Sequence, residues 1–148
     1  MLHFRSVALA SLLLVSVSVG GAADATAAPD DVAVIVANRG YIATSASRFS
    51  HRDGMAMAKA AEEALAIPPA RIMLRNDASA TEMRSLLSEG GDVASALRGR
   101  TGSRLVLYFS GHGTNEGGKA YLVPSDVDPA RSDDVAARGV AVDELLDL

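Results

Sequence analysis

The sequence predicts an α/β fold in which a parallel sheet lies between layers of helices. Three observations lead there. Val32-Ala33-Val34-Ile35-Val36-Ala37 is an unbroken apolar, mostly β-branched run, the pattern of a strand buried on both faces. Leu105-Val106-Leu107-Tyr108-Phe109 repeats that pattern further along. Between these runs, apolar residues recur at three- and four-residue spacing, as they do on amphipathic helices. Strands and helices in the order β-α-β-α-β imply parallel pairing through right-handed crossovers.

The elements follow in chain order. The first strand closes at Asn38-Arg39-Gly40, and residues 38–50, rich in Ser, Thr and Gly, read as a loop. Met55, Ala58, Ala61, Glu62 and Leu65 predict a helix from Asp53 to Leu65, with Asp53 as its N-cap. Pro68-Pro69 forbids its continuation. Ile72-Met73-Leu74 is a short strand, and Asn76-Asp77 is a turn. Ser79-Ala80-Thr81-Glu82 has the pattern of a capping box. The helix it opens runs to Leu97 through Met83, Leu86, Leu87 and Val93, kinked or split at Gly90-Gly91. Arg104 to Phe109 is the third strand, followed by a Gly-rich stretch over 110–118. Tyr121-Leu122-Val123 is a short strand before Pro124, residues 125–139 read as a polar loop, and Val142 to Leu148 begins a helix. Three core strands make a thin sheet, and the chain stops inside a helix, so the parallel-sheet fold reads as incomplete at its C-terminal end.

Composition narrows the function. A chain of 148 residues suits one small domain, and 49% apolar with 22% charged residues is ordinary globular composition. Lys and Arg number 14 against 18 Asp and Glu. That balance gives no basic footprint, and without Trp there is no stacking platform for bases, so no nucleic-acid partner is expected. The sequence contains no cysteine. Disulfides, a thiolate zinc site and a cysteine nucleophile within these residues are therefore excluded.

The N-terminus reads as a targeting segment. His3 and Arg5 precede an apolar run from Val7 to Val19, and Ala23-Asp24-Ala25 and Ala25-Thr26-Ala27 are two A-x-A sites. This is the layout of a secretory signal over residues 1–27, cleaved to leave a domain of 28–148. The run is short for a membrane span. The expectation is an exported protein, periplasmic or secreted, with membrane contact only through an uncleaved N-terminal segment.

His112 is the strongest candidate for chemistry. It stands just past a buried strand, where open α/β sheets place their sites, between Gly111 and Gly113. Flanking glycines let a substrate backbone approach closely, and an imidazole there can move protons near neutral pH. A plain loop histidine in a Gly-rich turn is the competing reading. Asp126, Asp128, Asp133 and Asp134 form an acidic loop whose spacing matches no EF-hand. No cofactor is expected, and calcium is unsupported by that spacing.

Leu105 through Gly113, followed by Tyr121-Leu122-Val123-Pro124-Ser125-Asp126, resembles the caspase and metacaspase-like peptidases. Val32 to Asn38 with Tyr41, Asp53 to Ala58, Leu74 to Leu86, and Val142 to Leu145 look like further family segments, so the resemblance spans nearly all of 31–148. It implies a three-layer caspase-like fold and a cysteine endopeptidase built on a His–Cys dyad, acting on a peptide or protein. By the same resemblance His112 protonates the leaving amine, and the Gly113 N–H helps hold the tetrahedral oxyanion. Arg52 and Asp53 match the region where family members bind the substrate side chain, although Asp53 also suits a helix cap and Arg52 a solvated charge. The family's cysteine lies at the end of the next strand in an Asp-x-Cys context, which residues 1–148 do not contain. Ser110 precedes His112 on the same turn and is no substitute. Three readings follow: the histidine-bearing part of a caspase-like peptidase, inactive by itself; a non-catalytic exported module that binds a peptide or partner; or a half completed by a Cys-bearing partner chain.

Overall fold

The computed structural model describes residues 8–18, 30–100 and 102–145. Among them, six strands form one mixed sheet: β1 (Ala8–Ser18), β2 (Val32–Ala37), β3 (Ile72–Asn76), β4 (Arg104–Glu116), β5 (Lys119–Leu122) and β6 (Val140–Ala141). The helices are α1 (Ser50–Glu63), α2 (Ala80–Leu87), α3 (Asp92–Leu97), α4 (Ser132–Arg138) and α5 (Val142–Leu145), with a 3₁₀ turn at Pro69–Arg71. The spatial order is β3-β2-β4-β5-β6, and β1 also pairs with β4.

The centre matches the expectation. β2 lies between β3 and β4 and is parallel to both. Its six residues are all buried, as the unbroken apolar run requires. Alternation splits them between two helical layers. Val32, Val34 and Val36 join Met83, Leu86 and Val93 of α2 and α3 on one face, and Ala33 joins Ala61 of α1 on the other. A Cβ on Gly54 would come within 2.6 Å of the Ala37 Cβ, so glycine lets α1 close onto β2. The result is the three-layer α/β arrangement.

The flanks add antiparallel strands to the parallel centre. β5 and β6 are antiparallel additions, and β1 also runs antiparallel to β4. The cause on one side is a two-residue hairpin. Gly117 and Gly118 both have positive φ, 58° and 81°, the conformation of a type I′ turn whose twist suits tightly paired strands. The stretch read as a Gly-rich loop is therefore mostly strand, and β4 continues through Ser110, Gly111, His112 and Gly113 to Glu116.

The residues expected as a polar loop over 125–139 contain α4, which the sequence reading missed. Asp133 and Asp134 stand in its first turn and Arg138 in its last, the charge order that favours a helix dipole. Val135 anchors it against Val123 and Val127. The expected helix from Ala80 to Leu97 is split at Ser88–Gly91 into α2 and α3, and Ser79 and Glu82 form the predicted capping box. The α1 N-cap is Phe49, not Asp53, which lies inside the first turn. Residues 8–18 of the apolar run read as an export signal form β1; the rest of residues 1–27, including both A-x-A sites, and the helix end at 146–148 lie outside the described residues. Among the described residues no helix is long and apolar enough to cross a membrane.

Candidate active site

The parallel pairing of β2 with β4 ends at Ala37 opposite Ser110. Beyond that point β4 carries on while β2 turns away. His112 therefore sits past the carboxyl end of the parallel strands, yet on a strand rather than on a loop. It is 2% exposed. Its carbonyl accepts from the Val123 N–H at 2.9 Å, which fixes the backbone on the hairpin side.

The wall around His112 comes from the loop after β2. Asn38, fully buried, takes the Ala78 N–H on Oδ1 at 2.8 Å and directs Nδ2 toward the Ala78 and Val123 carbonyls at 3.4 Å. Asp77 accepts the Arg39 and Gly40 N–H groups on Oδ1, each at 2.7 Å, and its other oxygen meets His51 Nε2 at 3.0 Å. Burial pushes the Asp77 carboxyl up, but those N–H donors and His51 outweigh it and hold the group below its ordinary value. The Ile42 N–H donates to the Ser125 carbonyl at 3.1 Å. Tied at these points, the loop brings Tyr41 and Ser45 onto His112.

Three contacts define His112, one through its backbone and two through its imidazole. The His112 N–H donates to the Tyr41 hydroxyl at 2.7 Å. The two rings lie 4.5 Å apart, tilted by 55°. His112 Nε2 stands 2.7 Å from the Ser45 carbonyl. A carbonyl only accepts, so Nε2 carries the hydrogen and Nδ1 is the free, basic nitrogen in the neutral ring. Nδ1 is buried and has no hydrogen-bond partner among the described residues. A buried polar atom left without a partner is costly.

The other sequence candidates separate. Gly113 follows His112 on β4, half-buried, where β4 passes from pairing with Ala8 of β1 to pairing with Leu122 of β5. Ser110 gives its hydroxyl to Ser50 at 3.0 Å, and Ser50 to Ser47 at 2.6 Å, so the hydroxyl is engaged away from the imidazole. Arg52 is solvent-facing, with its guanidinium over the Phe49 ring at 4.9 Å and Asp53 at 3.9 Å. None of these contacts of Arg52 and Asp53 reaches His112. The four aspartates of the acidic loop are engaged by protein donors. Asp126 takes the Ala80 N–H at 2.7 Å and Arg138, Asp134 takes the Asp128 N–H and Arg138, Asp128 takes the Ala130 N–H, and Asp133 pairs with Arg131. Ser45 was missed by the sequence reading, because it acts through a carbonyl that any residue supplies.

The three-layer α/β sheet thus holds a buried histidine past the carboxyl end of its central parallel strands, with the Ser45 carbonyl orienting the imidazole. The model of the caspase domain matches residues 30–146, and the chain belongs to the caspase-domain family. No individual curated protein matches it.

Proposed function

We propose that the chain provides the histidine side of a caspase-like cysteine endopeptidase, with the thiol supplied from outside residues 1–148. The observation that carries this reading is the buried Nδ1 of His112, without a hydrogen-bond partner among the described residues and set opposite an Nε2 already committed to Ser45. In this reading a thiol gives its proton to Nδ1, and the thiolate attacks the scissile carbonyl. The imidazolium then returns the proton to the leaving amine. The N–H of Gly113 contributes to holding the oxyanion. The substrate is a peptide or protein. Arg52 and Asp53, at the start of α1, are the candidates for contacting the side chain before the scissile bond. The domain acts after export, once residues 1–27 are removed.

Two sources of the thiol are open to test. One is coding sequence following the Leu148 codon, which should then specify an apolar strand ending in Asp-x-Cys. The other is a partner chain. The edge of β4 opposite β2 takes β1 in antiparallel register from Arg104 to Gly113, which supports strand addition there after leader removal. The absence of cysteine favours a second reading, an exported module that binds peptide without cutting it.

The test is cleavage of reporter peptides with Arg, Lys or Asp before the scissile bond. The 148-residue chain alone should give no turnover. A version carrying the thiol should cleave, and His112→Ala in that version should abolish cleavage in protein that still folds by circular dichroism, with its unfolding midpoint lowered by loss of the buried ring. Cleavage surviving His112→Ala would overturn the assignment.

A further inference from the structure

We propose that Tyr41 is a positioning residue for His112, holding the imidazole so that Nδ1 remains the free basic nitrogen. The inference rests on the peptidase reading for its purpose, but its geometry stands apart from it. Tyr41 grips His112 twice, taking the backbone N–H on its hydroxyl at 2.7 Å and packing its ring against the imidazole at 4.5 Å. A single hydrogen bond would fix the backbone and leave the ring free to turn. The ring contact closes off rotation on one side, while the Ser45 carbonyl holds Nε2. Together they restrain the position of the ring, its orientation and its tautomer.

The surroundings are shaped to keep Tyr41 there. A side chain at Gly111 would collide with the Tyr41 hydroxyl and come within 2.8 Å of the Phe109 ring. Glycine before His112 therefore makes room for the tyrosine, in addition to any room it makes for substrate. Burial raises the phenol to about 12, with the His112 N–H and the Asn38 side chain pulling the other way. The phenol is thus neutral at physiological pH, with its oxygen free to accept from His112.

The experiment uses the full chain, labelled with ¹⁵N, and reads the ring nitrogens and the backbone amide of His112 by NMR. In the unaltered protein the ring should be held as the Nε2–H tautomer, and the His112 amide should exchange slowly. Tyr41→Phe keeps the ring and deletes the acceptor. It should speed His112 amide exchange by up to about tenfold, the factor expected for one intramolecular hydrogen bond, with the Nε2–H tautomer retained. Tyr41→Leu, which also removes the aromatic face, should allow both tautomers. If Tyr41→Phe leaves amide exchange unchanged, or Tyr41→Leu leaves a single tautomer, the proposal is overturned.

Should either variant fail to fold, 3-fluorotyrosine incorporation weakens the acceptor without removing it. The His112 amide signal should then move toward the position of a weaker hydrogen bond. An unmoved signal also overturns the proposal. None of these readings depends on peptide cleavage. Failure of the peptidase assignment would leave the tautomer and exchange results standing, and failure of the positioning role would leave the cleavage test standing.

Discussion

Replacing Asn38 by alanine tests the logic of the whole site, because one buried amide joins the ends of β2, β3 and β5. Asn38 is 0% exposed. Its Oδ1 is the acceptor for the Ala78 N–H at 2.8 Å, and its Nδ2 lies at 3.4 Å from the Val123 and Ala78 carbonyls. The Ala78 carbonyl keeps a second partner in the Ser125 N–H at 2.9 Å, so its loss is small. The Ala78 N–H belongs to a residue that is 1% exposed, so water cannot readily take the place of Oδ1. An orphaned buried donor costs about 1–3 kcal/mol, and the small void adds to that. We expect Asn38→Ala to destabilise by about 2–4 kcal/mol. With a urea slope of about 1–3 kcal/mol per molar for small proteins, the midpoint should fall by about 1 M or more.

The assay is equilibrium urea unfolding at unchanged slope, followed by fluorescence of the tyrosines or by circular dichroism. Asn38→Leu separates the two causes. It fills the space but leaves the Ala78 N–H without an acceptor, so it should regain at most the small void part and stay well below the unaltered midpoint. A midpoint restored to the unaltered value by Asn38→Leu would refute the hydrogen-bond argument and assign the loss to the void.

Three further expectations follow from the same contacts. The Asp31 carboxylate is 0% exposed and receives the Arg104 N–H at 2.7 Å, Nε at 2.8 Å and Nη2 at 2.7 Å; Arg104→Met strips away the charge partner and should cost about 3 kcal/mol or more, and a change below about 1 kcal/mol in chemical unfolding would be contrary to it. Asp77 is held below the ordinary carboxylate value of 3.8, so its contribution to stability is present above that pH and lost as pH falls through the lower, folded value. Asp77→Asn should accordingly flatten the stability–pH curve below about pH 4, and an unchanged acid limb in a pH series of thermal midpoints would refute this. Tyr41 has the opposite sign: raised from 10.0 to about 12, it stabilises the fold fully below pH 10 and loses that contribution as pH rises toward 12. Phenolate absorbance should show a late-titrating tyrosine that disappears in Tyr41→Phe, and a titration identical in the two proteins would refute the burial argument.

What the sequence revealed and what it hid divide along physical lines. β2 and the first half of β4 were legible because burial on both faces writes itself as unbroken apolar runs, whereas β3, only partly buried at the sheet edge, was legible from the short Ile72-Met73-Leu74 run between Pro68-Pro69 and the Asn76-Asp77 turn. The capping box was legible because Ser79 and Glu82 stand three residues apart and satisfy each other locally. The antiparallel flank was written in Gly117-Gly118, but a longer Gly-rich stretch hid those residues as the tip of a two-residue hairpin. The cap of α1 was misplaced because the Ser47–Ser50–Ser110 hydroxyl chain holds the start of the helix. That chain joins a loop, a helix and a strand, and no local window contains all three. α4 carries few apolar residues, and Val135 finds its partners, Val123 and Val127, only in the folded chain.

The site divides the same way, and the division explains why it works as a unit. His112 stood out because glycines flank it at the end of an apolar run. Its tautomer did not, because that depends on a carbonyl and a phenol reaching it across sequence separations of 67 and 71 residues. Those contacts exist only because Asp77 and Asn38 pin the loop after β2 to the ends of the neighbouring strands. The strands place the imidazole, the loop chooses which nitrogen is free, and the polar ties beneath the loop make that choice part of the folding equilibrium. A substitution at Asn38 or Asp77, which hydrogen-bond to the loop and the strand ends, should therefore loosen the His112 tautomer as well as lower stability. Arg104→Met, at the opposite end of the sheet, should lower stability and leave the tautomer as it was. If Arg104→Met loosened the ring as much as Asn38→Ala does at equal loss of stability, the orientation of His112 would be a property of the whole fold rather than of the loop.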